Sequence, residues 1–478
     1  AQPGVTEAVI RDGRSNLLEV RLSEAVSVSD AQGFRLVGGA ARIQRLIGGS
    51  GSATLLFALT DHVLPDDQFT LLYWPQLGDA QAASGRLAET DDIQVQNQAS
   101  RYQGKGTLYH VSTAGNDGFK GTTPQAPFRS IQKAFSVAVP GDYILLKRGD
   151  VFSDTFVEVP KSGQATAYLT IASYGQGAKP ILSHNSKDIF TVADKSYLII
   201  DNLHLQVRGN GETGVYLSGN SQSVVVSNCR IQGIGRPHFG VNFGRNDGAS
   251  KKVVNPMIIN NHISGFRWNI RSSGYPYNGT HEVVGGLIEN NISGGNYQQG
   301  NDGISAQRGK YHGLVIRKNE VFGWYDDGMD FFAAEDVIIE YNTLHSPQQP
   351  ASSGQAIKAG GLTRSEPVSG HSSRNIIVRY NTVYNLYNTV NSEGSHNGIQ
   401  TNDGASGKIY GNVVYNTRGH GIVVSGAIDE WQVYNNTVVN AGNAGLRVWT
   451  NGSKDFNVAI WNNILQGKNG DIVVTTNT

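Results

Sequence analysis

The chain is 478 residues long, enough for one large elongated domain or a large domain with a smaller one attached. Lysine plus arginine (39) balances aspartate plus glutamate (39), so no overall field recruits nucleic acid or an anionic membrane. The single cysteine, Cys229, excludes a disulfide framework and a cysteine-based zinc cage, and reads as a small buried apolar residue.

An anionic ligand must therefore be held by a local patch or a bound cation. No run of about 18 apolar residues is present, so no membrane span is expected. The opening "AQPGVTEAV" suits a mature N-terminus left by a removed signal peptide. Glycine is abundant (59) and methionine scarce (2), the composition of strand- and turn-rich extracellular proteins. The expected location is outside a bacterial cell: secreted, periplasmic or at the cell surface.

Residues 1–104 alternate apolar and polar positions in short runs, "LLEVRLS", "GFRLVGG", "ATLLFALT" and "QFTLLYW". Gly, Asp and Pro turns separate them at about ten-residue spacing, which predicts a small antiparallel sandwich. The stretch resembles the Ig-like modules of bacterial secreted enzymes and adhesins. It holds no acid–base constellation and reads as an accessory domain, with "NQASRYQGKGTL" as the joint.

From residue 105 the texture changes. "SIQKAFSVA" is an amphipathic helix with Ile131, Ala134, Phe135 and Val139 on one face, placed to cap an open end. Beyond it a short phrase recurs: "DNLHL", "SNCRI", "NNHIS", "NNIS", "KNEVF", "YNTLH", "YNTVY", "GNVVY", "NNTVV", "NNILQ". Its asparagines are Asn202, Asn228, Asn261, Asn291, Asn319, Asn342, Asn381, Asn412, Asn436 and Asn463, at gaps from 23 to 39 residues. A period in the low twenties with insertions predicts a parallel β-helix of ten or more coils over 105–478. Asparagine suits the bend because it tolerates left-handed backbone geometry, and stacked asparagines hydrogen-bond from coil to coil. All ten are read as structural.

A second phrase aligns the coils: "TGVYLSG", "FGVNFGR", "WNIRSSG", "DGISAQR", "DGMDFFA", "QAIKAGG", "NGIQTND", "HGIVVSG", "AGLRVWT". Side chains alternate along a strand, so one outward column reads Tyr216, Asn242, Arg271, Ser305, Asp330, Lys358, Gln400, Val423, Arg447. A neighbouring column reads Asp302, Asp327, Gln355, Asn397. Asp302 and Asp327 then stand about 5 Å apart on adjacent coils, with Asp326 before Asp327, Asp330 outward on the same strand and Lys358 beside it.

Stacked carboxylates repel unless something neutralises them, and one lysine cannot offset four aspartates. A hard divalent cation can. Ca²⁺, with six to eight oxygens in flexible geometry, suits four carboxylates better than octahedral Mg²⁺, and zinc lacks its nitrogen or sulfur donors. A cation beside a lysine suits an anionic polysaccharide. Removing the C5 proton of a uronate builds charge on its carboxylate, which the cation stabilises, while Lys358 is the available base. The four aspartates hold that lysine protonated, so it works only with the metal bound.

The set "NDGISA", "WYDDGMDFF" and "GQAIKAGGL" resembles the core of polysaccharide lyase family 9, whose members include pectate lyases. The likeness is close over 300–362 and looser over 105–478. It implies a right-handed parallel β-helix, with Asp302, Asp326, Asp327 and Asp330 as calcium ligands and Lys358 as base. Ala356 departs from the family pattern, where glycine often precedes the apolar–lysine pair. Expected substrate contacts are Arg271, Arg308, Arg364 and His396, with Tyr275, Tyr277 and Trp324 as stacking platforms. The insertions at 271–282 and 346–354 are expected to wall the cleft. The protein is expected to be monomeric. Two rival readings remain: a glycan-binding adhesin without catalysis, and a uronan C5-epimerase. A glycosidase would need a metal-free carboxyl pair.

Overall fold

The computed structural model describes residues 2–10, 17–37, 41–59, 63, 68–97, 106–210, 212–245, 251–273, 282–295, 302–307, 309–332, 334–347, 354–360, 373–386, 396–401, 405–425, 427–449 and 457–475. Two compact units divide the chain, Ala1–Lys105 and Gly106–Thr478. Among the described residues no helix is long and apolar enough to cross a membrane.

In the first unit the strand Leu17–Ser27 buries Leu18, Val20, Leu22 and Val26 and exposes Arg21, Ser23 and Ala25 between them. This period of two makes a one-sided sheet, and the strand pairs antiparallel with Val5–Ile10 and Ser52–Leu59. A second sheet joins Phe34–Val37, Thr70–Tyr73 and Thr90–Gln94, also antiparallel. The core lies between the sheets, where the Phe34 ring meets Phe57 at 4.9 Å and Tyr73 at 4.5 Å.

The second unit is a parallel β-helix of three sheets, with 17, 12 and 12 strands. Its inward column is aliphatic and aromatic, Ile304, Met329, Ile357 and Ile399 among others, all fully buried in one continuous core. The helix Ile131–Val137 closes the first coil with Ile131, Ala134 and Phe135. Ser130 caps it, its hydroxyl accepting from the Lys133 amide at 3.1 Å. Val139, expected on the buried face, is instead 57% exposed. Pro140 follows it, and the chain has already left helical geometry at Ala138 (φ −65°, ψ 144°).

Eight of the ten asparagines form one hydrogen-bonded ladder. The Oδ1 of Asn342 accepts both the backbone N–H (3.0 Å) and the Nδ2 (2.9 Å) of Asn319. The same pair of bonds repeats from Asn261 to Asn463. Asn202 and Asn228 do not belong to it. His204, Arg230 and His262 are register partners, which puts these two asparagines beside Asn260 and leaves Leu203 and Cys229 in the ladder column. Cys229 ends the ladder: its N–H donates to Asn261 Oδ1 at 2.9 Å, and burial pushes its thiol up to about 12.

At the eight ladder coils the left-handed bend falls one residue earlier than the phrase suggests, whereas Asn202 and Asn228 take it up themselves. It is occupied by Asn202, Asn228, Asn260, Asn290, Lys318, Tyr341, Tyr380, Gly411, Asn435 and Asn462, with φ between 52° and 65°. The eight ladder asparagines themselves are not left-handed. Their side chains serve as hydrogen-bonding rungs, and the preceding residue makes the turn.

Candidate functional site

The outward column read from the sequence is the register of the third sheet. Tyr216, Asn242, Arg271, Ser305, Asp330, Lys358, Gln400, Val423 and Arg447 are successive partners, one per coil. Met329 and Phe331, which flank Asp330, point into the core. Asp302 and Asp327 share the turn position two residues before the partners Ile304 and Met329.

These elements bring four carboxylates and two cations together. Asp302, Asp326 and Asp327 each offer an oxygen, all within 4.8 Å of one another. Lys358 Nζ lies 3.1 Å from Asp327 Oδ2 and 3.6 Å from Asp330 Oδ2. Arg271 Nη1 lies 3.5 Å from Asp302 Oδ2. Gln307, which sequence reasoning passed over, ties the cluster together. Its Nε2 donates to Asp302 Oδ2 (3.3 Å) and to Asp330 Oδ2, and its Oε1 accepts from Arg271 Nη2 at 3.0 Å. It follows Ala306 as the next outward position on the strand Ile304–Gln307, so strand alternation was the signal that pointed to it.

The site is sunken, where the sequence suggested an open patch. Asp302, Asp327 and Asp330 are no more than 2% exposed, Asp326 is half-buried, and the Lys358 side chain is 24% exposed. Burial raises the pKa of all four carboxyls, Asp326 to about 6, with neighbouring aspartates adding to the rise. Burial alone would lower the Lys358 pKa, but Asp330 and Asp327 outweigh it and hold the ammonium well above its ordinary range.

Local backbone fixes the pieces. Gly354 runs so close to the Asp326 carbonyl that a Cβ there would sit 1.3 Å from the oxygen, so only glycine lets the next coil pass this turn. The Gln355 N–H donates to Asp327 Oδ1 at 2.7 Å, which fixes that carboxylate and leaves Oδ2 toward Lys358. Ala356, the departure from the family pattern, is fully buried in the core.

The other expected contacts fare differently. Arg271 is buried and committed to Asp302 and Gln307, with its Cζ 4.2 Å from the Trp268 ring centre, so it is the cluster's internal counter-ion rather than a free hand for a distal carboxylate. His396 is 1% exposed and left-handed (φ 69°), and its N–H and carbonyl join Gly354 and Gly419 between coils. It builds the turn, and this setting gives no support to a substrate role. Trp324 is not a stacking platform, since it lies fully inside the core beneath Gly328. Arg308, Arg364, Tyr275 and Tyr277, and most of the two insertions, lie outside the described residues.

The donor chemistry fits a hard cation. Its acidic groups are all carboxylates, with more acids than bases, and Asp330 Oδ1 is buried without a hydrogen-bond partner among the described residues. Such an oxygen is costly unless a proton or a metal takes it up.

A family model described as Pel9A-like, right handed beta helix region, matches residues 109–420. A lacto-N-biosidase of Bifidobacterium longum subsp. longum is 38% identical over 87 residues, 17% of this chain, and the chain spans about 5% of that relative's length. Among solved structures, an alginate lyase from Paenibacillus sp. str. FPU-7 is 20% identical over 65% of this chain and 96% of its own, with a TM-score of 0.46. The Dettilon tailspike protein is 18% identical over 72% of this chain and 64% of its own, with a TM-score of 0.50. At these identities the likeness is one of fold.

Proposed function

The chain belongs to the Pel9A-like right-handed β-helix family, and from that premise we propose that it is a secreted, calcium-dependent polysaccharide lyase. Its substrate would be a uronic-acid-containing polysaccharide of the pectate or polygalacturonate kind, cleaved by β-elimination. The observation that carries the reading is Lys358 at the more open edge of a buried acidic cluster, hydrogen-bonded to Asp327.

Asp302, Asp326, Asp327 and Asp330 would hold Ca²⁺, which when bound supplies positive charge for the substrate carboxylate. Asp327 and Asp330 keep Lys358 as an ammonium while their charge is otherwise uncompensated, so its change to a base depends on that charge being taken up. Lys358 then accepts the C5 proton. The C5–H electron pair becomes the C4–C5 double bond as the C4–O bond breaks, the departing oxygen takes a proton, and no water is consumed. Arg271 and Gln307 keep Asp302 and Asp330 in place throughout.

A hydrolytic reading draws on the 38% identical segment of the lacto-N-biosidase. The carboxylate oxygens within 4.8 Å of one another oppose an inverting hydrolase, whose pair stands about 6.5–9.5 Å apart to admit a water, but not a retaining one at about 5–5.5 Å, which the response to chelator separates from the lyase. Incubation with polygalacturonate and a panel of other uronates, with calcium or with chelator, separates the readings. Rising ultraviolet absorbance from unsaturated ends, abolished by chelator, is expected. Saturated reducing ends that form regardless of chelator would replace the lyase with a hydrolase.

A further inference from the structure

Gln400 follows Lys358 in the outward column, on the strand Ile399–Thr401, and is partly exposed. Which end of its amide faces the cleft follows from backbone groups two steps away. The His420 backbone N–H can only donate, and it meets an Asn397 amide atom at 2.7 Å, so that atom is Oδ1. The nitrogen of Asn397 is thereby turned to Gln400 and donates to its Oε1 at 2.9 Å. Gln400 must therefore direct its Nε2, with two N–H donors, away from Asn397. No partner for that nitrogen exists among the described residues.

Asn397 is itself held. It is buried, and its own N–H donates to Gln355 Oε1 at 3.0 Å, one coil back along the column that ends at Asp327. A partly exposed donor of fixed polarity thus stands one coil beyond the lysine, on the side where exposure rises from Asp330 to Lys358.

We infer that Gln400 contacts substrate: its amide nitrogen, aimed by Asn397, donates a hydrogen bond to an oxygen of the sugar adjoining the one that Lys358 deprotonates. The inference rests on the lyase reading for the identity of that neighbouring sugar. The donor is neutral, so a hydroxyl, ring or carboxylate oxygen satisfies it without a new ion pair. Asn397 is then a positioning residue, acting only through Gln400.

The test uses the full chain and two readouts on the same uronate polymers, cleavage kinetics and retardation in polymer-containing native gels. Gln400→Ala is expected to raise KM about tenfold with kcat within about twofold, the loss of one neutral hydrogen bond, and to weaken retardation similarly. Asn397→Asp keeps an oxygen for His420 but can only accept from Gln400, so the Gln400 amide turns over and offers oxygen to the sugar. That variant should raise KM likewise, and adding it to Gln400→Ala should do nothing more. Wild-type KM and retardation in Gln400→Ala would overturn the inference, as would additive effects in the double variant. If Asn397→Asp does not fold, Gln400→Ala alone decides. If the wild-type protein is retarded but releases no unsaturated ends, the lyase reading fails and Gln400 stands or falls by retardation. If no polymer is bound or cut, both readings are overturned.

Discussion

Replacing Lys358 by methionine separates the charge balance of the site from its chemistry. At an effective dielectric of about 20, contacts at 3.1 and 3.6 Å are each worth about 5 kcal/mol before desolvation is counted. Removing one partner of a buried pair costs about 3–5 kcal/mol in practice. Protonation of the aspartates, already favoured by burial, takes up part of that cost. The metal-free variant should therefore melt below wild type. The ammonium also competes with any cation for Asp327 and Asp330, so its loss should tighten metal binding. Calcium at about a hundred times its Kd adds about 2.7 kcal/mol to the folded state. Because the variant binds more tightly, its rise in melting temperature at a given calcium concentration should exceed that of wild type. Cleavage should fall at least about a hundredfold, the low end of what a positioned base supplies. Thermal melts with calcium or chelator, read beside the ultraviolet assay, give both numbers. Retained cleavage would remove Lys358 as base, and melts indifferent to calcium in both proteins would remove the metal site.

Asp327→Asn keeps the oxygen that accepts from Gln355 but loses the ion pair with Lys358, so it should melt below wild type with a weakened calcium response; Asp327→Ala loses the Gln355 bond as well and should melt lower still, as differential scanning calorimetry would register. Asn342→Ala strips the acceptor from the buried Asn319 N–H, while the Asn319 Nδ2 keeps the carbonyls of Ile288 and Arg317, and should cost about 1–3 kcal/mol, read from urea titration. Burial, reinforced by Arg447, lowers the His420 pKa from 6.5 to about 4. The folded chain thus binds this proton less readily than the unfolded one, so the stability linked to it is whole above pH 6.5 and lost as pH falls toward about 4. Removal of that slope by His420→Gln, followed in melts across this window, checks the assignment.

The register of the third sheet was legible because its inward residues are apolar and its period is two, so aligning Ile304, Met329, Ile357 and Ile399 fixes every outward partner. The asparagine phrase was less exact. Two adjacent positions both favour asparagine, one for left-handed backbone and one for hydrogen bonding, and the sequence does not label which is which at Asn202 and Asn228. Burial was the larger gap. Alternation says that Arg271 and Asp330 point outward, but not whether other chain covers an outward face. Arg271 therefore read as a hand for substrate and is a buried counter-ion. Trp324 lies just before the turn, off the strand pattern, and its place under Gly328 is a tertiary fact.

The site is built on a structural device that the fold already uses. In the asparagine ladder a side-chain oxygen on one coil accepts the N–H of the coil before it. The turn column beside the third sheet uses the same kind of bond in the opposite sense, with mixed residues: Asp327 accepts from Gln355, Gln355 from Asn397, and Asn397 from His420. A rung needs only one oxygen, so a carboxylate can serve as a rung and keep its second oxygen for a cation. Asp327 does so, its Oδ1 accepting from Gln355 while its Oδ2 faces the Lys358 ammonium. Asp302, one coil earlier, is engaged instead by Arg271 and Gln307. The energetic consequence is that Asp327 resists displacement: moving it breaks a rung as well as a charge contact. A fold that must repeat itself every coil can thus place an acidic cluster in its wall at small cost to its own continuity, provided that the acids replace rungs rather than interrupt them.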